Sequence, residues 1–199
     1  MTAPEVVREA ETAAAIDAAN EPDPERVVVD GVERPLQQIL GRRAAAWVDR
    51  LDPGAGPAQR LAARAHHLRR WERPRSDYPE GRAGYLRWRR DARDVHGEQV
   101  AALLAAHGWP ADVASAARAL VRKEGLGSDP AVQVHEDAVC LAFLEVQLDA
   151  VAERLGDDRA VAVLRRTAAK MGAAALALAA DLPLSPRGRG LLAAAVDLD

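Results

Sequence analysis

The sequence predicts an all-α fold, a single compact multi-helix domain over residues 1–199, and three observations predict it. Alanine, leucine, arginine and glutamate, all strong helix formers, dominate the chain. Strand-like alternation is confined to one run, VVVDGVER at 27–34, while apolar residues elsewhere recur at helical spacing. Proline and glycine cluster where they divide the chain into helix-length pieces. With 199 residues, 49% hydrophobic and 29% charged, the chain is long enough for one substantial core and globular in composition.

The elements follow in order. A helix is expected at about 4–19, and VVVDGVER then forms either a short hairpin or a loop. Helices at about 35–51 and 57–72 are separated by DPGAGP (52–57), and RPRSDYPEG (73–81) precedes a long helix at 81–107. HGWP (107–110) leads into 111–124, and GLGSDP (125–130) into 130–155. Pro110 and Pro130 fall near helix starts, where a missing N–H costs little. Helices at 158–180 and 186–196, parted by LPLSP (182–186), complete the domain. No repeat of 20 to 50 residues and no linker interrupts it.

Several function classes are disfavoured at once. A single cysteine, Cys140, allows neither an internal disulfide nor a multi-cysteine zinc site, and its apolar helical setting predicts an inert buried thiol. The amino-terminal stretch is acidic where a signal peptide is basic, and the longest apolar tract, AAALALAA at 173–180, is too short to span a bilayer. A cytoplasmic protein without a membrane partner is expected. Neither GLG (125–127) nor GRAG (81–84) has the spacing of a phosphate loop.

Charge is concentrated. Residues 63–90 hold nine arginines against Glu72, Asp77 and Glu80, a net of +6 in a chain of formal charge −3. A basic patch at one place in an acidic chain favours a small anion over nucleic acid as partner. The segment 73–84 is too rich in proline and glycine to be helical, so Arg73, Arg75 and Arg82 are expected on a restrained connection. Arginine suits forked bonding to phosphate or carboxylate, and Trp71, Tyr78, Tyr85 and Trp88 offer stacking surfaces nearby. Arg89 joins this candidate substrate-binding set. The other helix-borne arginines, Arg69, Arg70, Arg87, Arg90 and Arg93, read as salt-bridged or solvated faces.

Ionisable residues on apolar helix faces are the second signal. Asp137 falls within the stripe of Leu141, Leu144, Leu148 and Val151. His96 centres the stripe of Tyr85, Ala92, Val100 and Leu103, and His67 flanks Leu61, Ala65 and Leu68. A carboxylate on a buried stripe is costly unless paired or bound to metal. His67, His96 and Asp137 are therefore candidate ligands for Mn, Fe or Zn in a bundle core, the alternative being a structural pair of Asp137 with His96 or with Arg89. His66, His107 and His135 are expected at helix surfaces or ends.

The run H-LRRW--PR--YP-GR-GY--WR------H, from His67 to His96, with Q-HEDAVCLAFLE at 133–145, resembles the family called domain of unknown function 4202, over roughly residues 14–196. More distantly, His, His and Asp on successive helices are similar to the H…HD…D pattern of the HD superfamily of metal-dependent phosphohydrolases. Gly97 stands where that pattern has its first Asp. The likeness implies an HD-like bundle in which metal held by His67, His96 and Asp137 activates water. Glu136 would then be the catalytic base, and the arginines would hold a phosphorylated small molecule or nucleotide. The alternative is a metal-free binding or regulatory domain for an anionic metabolite.

Overall fold

The computed structural model describes residues 2–196. Helix α1 (Ala3–Ala19) is followed by an antiparallel hairpin of β1 (Arg26–Val29) and β2 (Val32–Pro35), with Val28 paired to Glu33. Asp30 and Gly31 form its turn at φ 52° and 76°, the two-residue geometry whose twist matches that of the strands. The run VVVDGVER is thus a hairpin. Everything else is helix and connection: α2 (Leu36–Leu51), α3 (Pro57–Arg64), α4 (Gly81–Ala106), α5 (Ala111–Arg122), α6 (Pro130–Leu155), α7 (Asp157–Ala168), α8 (Ala173–Ala180) and α9 (Pro186–Val196). The expected all-α domain is what the chain forms. Among the described residues, no helix is long and apolar enough to cross a membrane.

Helix α6 is the axis. Asp129 caps it by accepting from the Ala131 N–H at 2.8 Å, and Pro130 fills its first position. Its stripe of Leu141, Leu144 and Leu148 packs with Leu40, Ala44 and Val48 of α2, Leu164 of α7 and Leu191 of α9 in one apolar cluster. A second cluster joins Ile16 of α1, Leu61 of α3, Val100 and Leu104 of α4, and Val121 of α5, and it takes in Val132 from the first turn of α6. Truncating a fully buried leucine such as Leu144 to alanine costs about 2–5 kcal/mol in a core of this kind.

Two breaks differ from the expected boundaries, and both shape the site. The helix at 57–72 ends at Arg64. His66 then turns its Nδ1 onto the Ala63 carbonyl at 2.8 Å, and the Arg69 N–H donates to Asn20 Oδ1 at 2.9 Å, which holds Arg69 at φ 50°. Two 3₁₀ turns, Arg70–Glu72 and Arg75–Asp77, carry the chain on to α4. The helix at 158–180 divides into α7 and α8. Asp137 accepts from the Gly172 N–H at 2.9 Å, and Gln133 Nε2 donates both to Asp137 Oδ1 and to the Lys170 carbonyl, each at 2.9 Å. A side chain 35 residues away thus interrupts an alanine-rich run that propensity alone would keep helical.

Candidate functional site

Between α4, α5, α6 and α7 lies a cavity of about 580 Å³. Its floor comes from α6, where His135 and Glu136 are each 1% exposed. Two lysines from different elements meet the two oxygens of Glu136. Lys170, in the turn after α7, donates from Nζ to Oε1 at 2.7 Å, and Lys123 contacts Oε2 closely. Lys123 ends α5 at φ 58°, a left-handed position that favours glycine. Cys140 lies one turn further along α6, its Sγ 3.8 Å from Glu136 Oε1.

Four histidines line the same space. His67 is committed on both sides: Nδ1 lies 3.2 Å from Gln37 Oε1, and Nε2 lies 3.0 Å from Arg70 Nη1. Because guanidinium only donates, Nε2 accepts, and the proton of neutral His67 is on Nδ1, directed at Gln37. The His66 and His67 rings are 4.2 Å apart, and those of His67 and His96 5.9 Å. Among the described residues, buried His135 has no hydrogen bond at either ring nitrogen, and buried His96 has only loose approaches from Gln99 and the Leu68 backbone. Such orphaned polar groups ask for a partner the protein does not supply.

Burial is the main cause of the pKa shifts here. It pushes His66 and His135 down to about 3, with the Lys123 charge adding to both, and His96 to about 4, with Arg70 adding. His67 is also held well below its ordinary value by burial, then by His66 and Arg70. The imidazoles are neutral at neutral pH, each one donor and one acceptor. Burial works to raise the Glu136 carboxyl, but Lys123 and Lys170 outweigh it and hold it at about 2. Burial raises the Cys140 thiol to about 12, so the expected inert thiol is what α6 carries.

The wall is strongly cationic. Among the described residues, Arg70, Arg89, Arg93, Lys123, Arg166 and Lys170 face the cavity, against Glu136 alone among carboxylates. Among the described residues, none of the four arginines is ion-paired, and the buried Nε of Arg93 has no partner. At the mouth, Arg70 lies over the Trp88 ring at 5.0 Å and Arg89 over Tyr85 at 5.8 Å.

Sequence comparison matches residues 10–192 to the family described as a domain of unknown function, DUF4202. The chain belongs to the DUF4202 family. No curated protein and no solved structure matches it.

In this DUF4202 chain the expected site residues separate into two groups. His67, His96, Glu136, Tyr85 and Arg89 line the cavity. Asp137 does not, since its carboxylate is directed at Gly172 and Gln133. Among the described residues, no three His, Cys, Asp or Glu side chains are grouped so as to hold a metal ion. Nor does Asp137 form the alternative structural pair with His96 or Arg89, because its partners are Gln133 and Gly172. Gly97 packs against Arg122 of α5, where a Cβ would collide, so position 97 faces away from the cavity.

The loop arginines also divide from the pocket. Arg73 and Arg82 are exposed and off the cavity wall, and Arg75 spends its guanidinium on the Tyr78 and Pro79 carbonyls, both at 2.8 Å. Trp71 and Tyr78 are half-buried outside the cavity, and Tyr85 is 42% exposed at its mouth rather than in the core. His66 and His135, expected near the surface, are interior, whereas His107 does cap the end of α4. Sequence reasoning read Arg70 and Arg93 as salt-bridged or solvated faces, whereas they line the cavity, and it did not single out Lys123, Arg166 or Lys170. One signal was available for two of them: among 27 basic residues, 123 and 170 are the two lysines.

Proposed function

We propose that this DUF4202 protein recognises an anionic small molecule, phosphate- or carboxylate-bearing, through the basic, histidine-lined cavity. The observation that carries this reading is the charge imbalance: among the described residues, six cationic side chains and one carboxylate on a cavity of about 580 Å³. Lys123 and the Nε of Arg93 are largely withdrawn from water and bind an anion with little further desolvation, and Arg93 Nε regains the partner it lacks, while Arg89 and Arg166 stay exposed at the rim. Neutral His96 and His135 can each donate one hydrogen bond to the same ligand. The volume lies within the range of ordinary small-molecule sites.

Metal-dependent hydrolysis, which the HD likeness implies, has weaker support. It needs ligands from His67, His96 and Asp137, yet His67 has both nitrogens engaged and Asp137 is turned to Gly172. Glu136, with a lysine at each oxygen and a pKa of about 2, is poorly suited to serve as base for a bound water.

Calorimetric titration of tag-free protein with inorganic phosphate, sugar phosphates and nucleotides tests the reading. Saturable binding is expected, weakened at least about tenfold in Arg93→Ala, since a hydrogen bond to a charged group contributes about 1.5–3 kcal/mol. Absence of binding across the panel would end it. Stoichiometric bound metal that disappears in His96→Ala would restore the hydrolase reading.

A further inference from the structure

The chain uses arginine for almost every positive charge: 25 of its 27 basic residues are arginine, and the two lysines are Lys123 and Lys170. Those two, distant in sequence, converge on one buried carboxylate, Glu136. Elsewhere in the molecule guanidinium meets carboxylate without difficulty, as Arg64 does with Asp17 and Arg187 with Asp157. What lysine offers and arginine lacks is a compact amine able to lose its proton and form a covalent bond.

Lys123 has the setting of such an amine. Its side chain is 17% exposed, against 37% for Lys170. It occupies a left-handed backbone position at φ 58°, strained for any residue with a Cβ, which fixes it over the cavity. Two ammonium groups share one carboxylate, so the cluster holds one positive charge in excess. Burial, the largest influence, lowers the Lys123 pKa; the Glu136 carboxylate works against it, and Lys170 adds to the lowering.

We propose that Lys123 is a nucleophilic amine that forms an imine with a carbonyl-bearing anionic ligand, an aldehyde or ketone that also carries a phosphate or carboxylate. This rests on the anion-binding reading of the cavity. The Lys123 nitrogen bonds to the carbonyl carbon, and two ammonium protons leave with the carbonyl oxygen as water. The third proton stays on the iminium nitrogen. Charge is conserved, so the iminium keeps the contact with ionised Glu136 that the ammonium had, and Lys170 holds that carboxylate from its other oxygen. Water reverses the bond. The arginines at the mouth hold the anionic group and present the carbonyl to the amine.

The test uses the full chain and pyridoxal 5′-phosphate as a probe that is both aldehyde and phosphate, with borohydride reduction and peptide mapping. Only Lys123, Lys170 and the amino terminus can react, so assignment is direct. Label is expected first at Lys123, whose amine faces the cationic wall that would hold the probe's phosphate. Inorganic phosphate should protect it. Lys123→Arg, which keeps the charge, should lose the label while Lys170→Arg retains it, with circular dichroism confirming both folds. Label at Lys170 and the amino terminus but not at Lys123, while calorimetry still shows phosphate bound, overturns the amine and leaves the cavity reading standing. Label at Lys123 that phosphate does not slow sustains the amine and removes the anion subsite.

Discussion

Two sets of cationic side chains in this molecule have opposite surroundings. On the seam of α1 with α2 and α3, Arg42 and Arg64 each reach Asp17 at 2.7 Å, and Arg60 reaches Glu9 at 2.5 Å. Each guanidinium there meets a carboxylate, and the seam joins helices. Around the cavity, Arg70, Arg89, Arg93 and Arg166 meet none, and two lysines divide a single glutamate. Matched charges are explained by the fold. Arg89 and Arg166 are exposed and cost the fold little unpaired, but the buried Arg93 Nε and the buried imidazole of His135 are unsatisfied and call for a ligand.

Acid should separate the two regions most sharply. His66 and His135 protonate in the folded protein only near 3 and His96 near 4, because burial, then Lys123 or Arg70, opposes their charge, with Glu136 opposing the shift at His135. In the unfolded chain each takes a proton below about 6.5. The stability they confer is therefore complete above that pH and is lost as pH falls from about 6.5 towards 4. His67, also held well below its ordinary value by burial, adds a fourth proton, and with four taken up on unfolding the loss reaches roughly 5 kcal/mol per pH unit. Urea midpoints measured from neutrality to about pH 5 should show this slope. The seam pairs hold no histidine, so Asp17→Asn should lower the curve without changing its steepness. A flat curve would mean that these imidazoles are open to solvent, and the contrast between the regions would collapse.

Removing one carboxylate from each region should give the next largest difference. Glu136→Gln leaves two ammonium groups facing each other with Glu136 itself 1% exposed, a loss of about 3–5 kcal/mol. Asp17→Asn, at a seam where Asp17 is 13% exposed but its partners Arg42 and Arg64 are 48% and 23% exposed, should cost less, about 1–2 kcal/mol. Phosphate should recover part of the first loss and none of the second, because an anion in the cavity replaces the missing charge. Equal losses, with no recovery, would make the cavity cluster another structural ion pair.

The stripe of Leu141, Leu144 and Leu148 with Asp137 inside it was legible in the sequence because helical period is local, and so was the burial of His96. The direction in which Asp137 points was not, since it depends on a backbone N–H 35 residues away. The same contact hid the break between α7 and α8, and with it the route by which Lys170 reaches Glu136. The arginine density of 63–90 located the right neighbourhood and mostly the wrong side chains. Which arginines face inward is set by Asn20 holding Arg69 and by the turns that follow, and no spacing rule encodes that.

The loop arginines give the smallest expected effect and the finest test of the comparison. Arg73 and Arg82 are exposed and off the cavity wall, so their charges reach a bound anion only through screening solvent. Arg73→Ala and Arg82→Ala should each change phosphate affinity less than about twofold at physiological salt. Arg75→Ala should act differently, costing about 1 kcal/mol of stability as the Tyr78 and Pro79 carbonyls lose their donor, with affinity nearly unchanged. An Arg82→Ala loss as large as that of Arg93→Ala would show the 73–82 segment closing on the ligand. The boundary between matched and unmatched charge would then run through that loop rather than along the wall of α4.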